Sequence, residues 1–243
     1  MIKRVSNINN LSGVLSPLFP LIYCDFNCVS RDSDGVFVQL LEDDNITAVM
    51  SLKNSTLTIV KNGQTIQGEE IEEFIEFFGI TSVISDFPVN KSHYKKTPLL
   101  CYKGEKIELV ECEIIDNASN LNVYQSVFSL LCENGDFCEW YPSFSKRINT
   151  GYAQAVYKKI NDDIVSTAVC TALFKHSGVI SGVFTLPSQR GKGYAGECVK
   201  KLVSHLLEND ISDIYLWCEK DKIKFYNNLG FEHCGEIYVR EEI

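Results

Sequence analysis

The stretch LPSQRGKGYAGE, residues 186–197, decides how this chain is read. The segment before it, HSGVISGVFT, has the β-branched, alternating character of a strand. The segment after it, CVKKLVSHLLEND, has its apolar residues at helical spacing. The join between them holds three glycines, Gly191, Gly193 and Gly196, together with Arg190 and Lys192. A helix start presents unpaired N–H groups and a partial positive charge. Glycines let an anion approach those groups and permit positive φ. Across 186–201, Arg190, Lys192, Lys200 and Lys201 face only Glu197, in a chain of net charge −9. The loop therefore reads as a seat for a phosphate-type anion.

Outward from the loop, strands are expected at 153–160, 164–174 and 179–186, ahead of a helix over Tyr194–Glu208 with Ala195, Cys198, Val199, Leu202, Val203 and Leu206 on one face. A strand at 211–218, a short helix over Asp221–Leu229 stopped by Gly230, and a last strand at 235–241 complete this half. The first half shows the same order: strands at 35–41, 46–52 and 55–60, an amphipathic helix at 68–79 with Ile71, Phe74, Ile75 and Phe78 at helical spacing, and a strand at 81–87. Between the halves, NVYQSVFSLLCEN and YPSFSKRIN predict two helical pieces. The expected fold is α/β of the α+β type, a mixed and mostly antiparallel sheet flanked by helices. The shared order suggests two copies of it, a domain over 1–117 and another over 118–243. Where the second copy has its glycine-rich loop, the first has KNGQTIQGEE, so the functional site is expected in the second copy alone.

Bulk properties narrow the class. No apolar run reaches the ~18 residues of a membrane-spanning helix, and the start MIKRVSNINNLSG lacks the apolar core of a signal peptide. A soluble, cytoplasmic protein without membrane partners is expected. The acidic balance lacks the basic footprint of a nucleic-acid binder. The 10 cysteines are scattered, mostly in apolar runs such as TAVCTALF, where Cys packs as a small hydrophobe. Cys24 and Cys28 form a lone CxxxC without a second ligand pair, so no metal site is expected. The histidines stand singly, and His176 in KHSG reads as a hairpin turn.

GKGYAG, residues 191–196, matches the dinucleotide-binding pattern GxGxxG literally. That pattern belongs at the end of the first strand of a βαβ unit. Here three antiparallel-looking strands precede it, four residues separate strand and first glycine, and about 47 residues follow it. These features argue against a nicotinamide oxidoreductase, and the P-loop pattern GxxxxGK[ST] is absent.

In a longer window, TLPSQRGKGYAG between strand and helix resembles motif A of the GCN5-related N-acetyltransferase superfamily, whose core [QR]xxGx[GA] is here Arg190 to Ala195. FYNNLGF, residues 225–231, resembles the late (L/F)YxxxGF element of that family, one strand further on. The resemblance covers roughly 120–243 and is nearest to bacterial two-domain members with a degenerate first half and to glycine-acyltransferase-like branches. It implies acetyl-CoA as co-substrate, a small-molecule or peptide amine as acceptor, and N-acyl transfer by direct attack. In such proteins the strand before the loop splays from the strand after the helix and pantetheine lies in the gap. The backbone of Val183, Phe184 and Leu186 would hold it, with one amide polarising the thioester carbonyl. The amides of Gly191, Lys192, Gly193, Tyr194, Ala195 and Gly196, beside Arg190, would take the pyrophosphate.

Tyr226 matches the family tyrosine that protonates the leaving thiolate, a role suited to a phenol of pKa about 10. The family often places a Glu on the strand before motif A, and HSGVISGVFT has none. Glu219, His233 or a water chain is left as base. Two coenzyme-contacting positions, Asn and Ala in many relatives, are Glu219 and Lys222 here. This departure keeps open a coenzyme A-binding module without catalysis. The aromatic-rich segment 136–152 and the first half are expected to shape the acceptor pocket.

Overall fold

A computed structural model describes the chain except residues 29–34, 41–44, 64–65, 90–93, 106–109, 117–118, 133–135 and 242–243, and the side chains of Glu139 and Glu241. The expected domain boundary at 117–118 and the end of the first interdomain helix thus lie outside the described residues. The chain divides into two compact units: Met1–Leu99 with Trp217–Lys220 and Cys234–Ile243, and Leu100–Leu216 with Asp221–His233.

The first unit contains β1 (Ile2–Arg4), α1 (Phe19–Asn27), β2 (Gly35–Leu40), β3 (Ile46–Lys53), β4 (Thr56–Lys61), α2 (Gly68–Phe77), β5 (Ser82–Ser85) and the start of β6 (Lys95–Tyr102). The second contains β7 (Glu113–Ile115), α3 (Leu121–Leu131), α4 (Phe137–Asn149), β8 (Gln154–Ile160), β9 (Asp163–Phe174), β10 (Ser177–Thr185), α5 (Tyr194–Glu208), β11 (Asp213–Trp217) and α6 (Ile223–Asn227). The last strand, β12 (Phe231–Glu241), returns the chain to the first unit.

Strand order is β1-β2-β3-β4-β5-β12 in the first unit and β11-β10-β9-β8-β7 in the second. All these pairs are antiparallel except β4/β5 and β10/β11, the two pairs joined through a helix. Hairpins join antiparallel neighbours, whereas parallel neighbours need a crossover, which α2 and α5 supply. The mixed, mostly antiparallel sheet flanked by helices agrees with the sequence expectation.

α1 was not anticipated from the sequence, whereas the two helical pieces expected between the halves are α3 and α4. α1 (Phe19–Asn27) carries Pro20 at its start, where a missing N–H costs nothing. It buries Cys24 completely and Cys28 follows at 2% exposure, so the CxxxC pair packs in a core. The segment 137–149 is one helix, capped by the Asp136 carboxylate accepting from the Cys138 N–H at 2.7 Å, with Pro142 in its interior. α3 and α4 bury Tyr124, Val127, Leu130, Phe144 and Ile148 with Ala155, Tyr157 and Val169 of β8 and β9. α5 covers the other face, burying Cys198, Val199, Leu202, Val203 and Leu206 as its spacing predicts.

Candidate functional site

Strand β10 pairs with β9 along its whole length, from Ser177↔Phe174 to Thr185↔Ser166. On its other edge it pairs with β11 only from Ser177↔Asp213 to Ile180↔Leu216. A register irregularity falls between Ile180 and Gly182, and such bulges bend and twist a strand. The two parallel strands part at that point, and beyond Ile180 the far edge of β10 has no strand partner among the described residues.

The Leu186 N–H donates to the Val165 carbonyl at 2.9 Å. This marks a hydrogen-bonded pair, and such pairs alternate along an antiparallel ladder. Phe184 and Gly182 therefore turn their backbone groups toward β9, while Val183 and Thr185 turn theirs into the gap. The Phe184 carbonyl also accepts from Ser166 Oγ at 2.9 Å, and the Leu186 carbonyl accepts from the Gln189 N–H at 2.8 Å. By this phase the backbone groups of Phe184 and Leu186 face β9, whereas those of Val183 and Thr185, the latter not among the expected residues, face the gap. A period of two makes a one-residue slip a change of side.

A 3-10 turn over Pro187–Gln189 follows the strand. Gly191 and Gly193 then adopt φ of +78° and +89°. A Cβ at either would meet nothing within 4 Å, so conformation rather than space calls for glycine. Gly193 is the N-cap of α5, and no side chain caps that helix. Its first-turn residues Tyr194, Ala195 and Gly196 line a cavity of about 670 Å³ together with Gly191 and Gly193. Val183, Phe184 and Thr185 wall the cavity from β10, and Lys222, Phe225 and Tyr226 from around α6. A helix start without a side-chain cap and a strand edge without a strand partner among the described residues thus open on one space, donors for an anion at one end and strand-type partners along the other.

The charges around it are arranged. Arg190 Nε donates to the Thr185 carbonyl at 3.2 Å, and its guanidinium lies 5.5 Å from the Phe184 ring centre. Lys192 Nζ donates to Gln189 Oε1 at 2.7 Å and is not part of the cavity wall. Leu186 is not part of it either. Glu197, the one acid in the first turn of α5, is held by Lys158 Nζ at 2.9 Å. That ammonium also donates to the Glu111 carbonyl at 2.9 Å, and its bond to Glu197 raises the Lys158 pKa. Lys158 comes from β8, and no local sequence signal links it to the loop.

Tyr226 lines the cavity, its ring edge-on to Phe225 at 4.9 Å and to Phe231 at 5.9 Å. Glu219 does not: it is 64% exposed and paired with Lys95 at 2.5 Å. An exposed carboxylate paired to a lysine outside the wall is poorly placed to take protons inside the cavity. His233 is exposed on β12 and absent from the wall. Among the described residues no group of three His, Cys, Asp or Glu could hold a metal ion, and no helix is long and apolar enough to cross a membrane.

Residues 111–231 match the profile of the family described as Acetyltransferase (GNAT). The chain is 24% identical over 144 residues to the probable acetyltransferase TAP2 of Glycine max, covering 55% of this chain and 57% of that protein. The chain thus spans little more than half of that relative. It is 28% identical over 146 residues to the uncharacterized N-acetyltransferase ycf52 of Porphyra purpurea, covering 58% of this chain and 82% of that one. A GCN5-related N-acetyltransferase from Sphaerobacter thermophilus shares the fold with TM-score 0.62 at 12% identity, over 100% of this chain and 96% of that one. The matched segment holds β10, the glycine-rich loop, α5 and α6. Through residues 111–231 the chain belongs to the GNAT acetyltransferase family.

Proposed function

We propose that the protein is an acyl-CoA-dependent N-acyltransferase that moves acetyl from acetyl-CoA to an amine. The observation that carries this reading is the parting of β10 from β11 directly beside the uncapped start of α5. A diphosphate needs N–H donors and positive potential, which the α5 start supplies. A pantetheine arm, with its two amides, needs strand-like partners, which Val183 and Thr185 supply. The pyrophosphate is assigned to the Gly191–Gly196 amides, with Arg190 fixing the loop against β10.

In the reaction the neutral amine attacks the thioester carbonyl carbon. The new C–N bond forms, the C–S bond breaks, and the nitrogen proton is balanced by protonation of the coenzyme thiolate. The Val183 N–H is the donor for the carbonyl oxygen as it becomes an oxyanion. Tyr226 is the acid for the thiolate. No enzyme nucleophile enters, and Cys218 takes no part.

One observation favours a second reading, a coenzyme A-binding module without turnover: among the described residues no carboxylate or imidazole lines the cavity. A thiol-release assay with acetyl-CoA and a panel of amines, run beside calorimetric titration with coenzyme A, decides between them. The transferase reading expects binding, turnover, and a drop in kcat on Tyr226→Phe with little change in coenzyme affinity. Binding without turnover across the panel leaves the module. Absence of binding removes both.

A further inference from the structure

A second cavity, of about 340 Å³, adjoins the first and shares Val183 and Phe184 with it. Its volume is roughly eleven times the share of one water in the liquid. Its wall is built by Leu131 of α3, Trp140 and Phe144 of α4, and Val169 of β9. Trp140 and Phe144 stack at 4.3 Å with their planes 24° apart, presenting one continuous aromatic surface. The polar side chains of the wall are Thr171 and Ser181, and the Ser181 hydroxyl donates to Thr171 Oγ1 at 3.0 Å. Among the described residues the wall carries no charged side chain.

We infer that this cavity receives the side group of the acceptor, and that the acceptor is an amine bearing an apolar, uncharged group of about the size of an aromatic ring. The inference rests on the transferase reading above. Three observations lead to it. A wall with stacked Trp140 and Phe144 and, among the described residues, no charged side chain rewards burial of apolar area over a second charge. Polyamines, amino sugars and lysine-rich peptides are disfavoured on that ground. The cavity wall also includes the exposed Ser181 and none of the loop residues Gln189–Gly196, whereas an acyl tail arrives with its coenzyme. Finally, the two cavities meet at Val183, the residue whose N–H faces the gap, so an amine held against Trp140 has its nitrogen next to the thioester.

The test measures kcat/KM with acetyl-CoA for 2-phenylethylamine, hexylamine, spermidine, glucosamine and a lysine-containing peptide, together with the coenzyme A dissociation constant. The expected result is at least ~10-fold preference for the apolar amines, the discrimination that one or two buried methylenes provide. Trp140→Ala should reduce that preference about tenfold or more while coenzyme A affinity stays within about twofold. Because Trp140 also packs, Ser181→Phe provides a second variant: Ser181 is exposed, and a ring there fills the mouth and removes activity on the aromatic amine with coenzyme A affinity kept. Equal activity on polar and apolar amines, or preference unmoved in both variants, overturns the inference. So does a wild-type preference for hexanoyl-CoA over acetyl-CoA that Trp140→Ala abolishes, since the cavity would then hold the acyl chain. Failure to bind coenzyme A at all is the separate failure of the transferase reading.

Discussion

Gly193 and Gly196 sit three residues apart in one loop and face different constraints. Gly193 is held at φ +89°, whereas Gly196 is an ordinary helical residue whose added Cβ would meet Leu229 Cδ2 at 3.6 Å and Phe225 Cε2 at 4.0 Å, normal contacts. Gly193→Ala should therefore cost about 1–2 kcal/mol of stability, and Gly196→Ala should be neutral or gain up to about 1 kcal/mol, both read by urea unfolding. Gly193→Glu should pay the same strain and also abolish coenzyme A binding, because its carboxylate stands where the diphosphate is assigned. The pattern RGKGYAG thus marks both positions, but only backbone conformation separates them. At this scale the sequence also hides the partners that matter most. Lys158 reaches Glu197 across 39 positions of chain, and nothing near either residue announces the pair. The phase of β10 is hidden for another reason: VFTL is apolar without strict alternation, so the residues facing the gap become evident only from the ladder with β9.

At the scale of elements, α5 carries a titration of its own. His205 lies in its last turn, and burial lowers its pKa, partly opposed by Glu208. With the folded pKa below the unfolded value of about 6.5, the unfolded chain takes up the proton first as pH falls. Stability should then rise with pH through the region just below about 6.5 and level off above it. His205→Gln should flatten that part of the profile, as measured by thermal unfolding between pH 5 and about 7.5. The elements themselves were legible where period and punctuation agree: α5 and α2 by their apolar stripes, β8 to β10 by turns at Asn161-Asp162 and Lys175, all at positive φ. They were not where proline interrupts the pattern. Pro20 in α1 and Pro98 in β6 each weaken a signal that tertiary packing overrides, while α4 was expected only from Tyr141 onward, one residue before Pro142.

At the scale of the whole chain, β2-β3-β4-α2-β5 and β8-β9-β10-α5-β11 share order and pairing, two antiparallel hairpins and then a parallel crossover. We read this as an internal duplication. The two crossover helices differ at their starts: α2 has Glu69 and Glu70 in its first turn, and α5 has the single, lysine-paired Glu197. Carboxylates at a helix start already satisfy its positive end. Calorimetric titration should accordingly find one equivalent of coenzyme A per chain, and two equivalents would overturn the reading of the first copy as empty. The parting of β10 from β11 has a last consequence. Under the proposed function, a guest lying along Val183 and Thr185 would complete a ladder that the described strands leave unfinished, and would brace the fold as well as react within it. Without it, that stretch would be a sheet margin lacking a strand partner among the described residues, open to pairing with an extended peptide, and cofactor supply would then guard against aggregation.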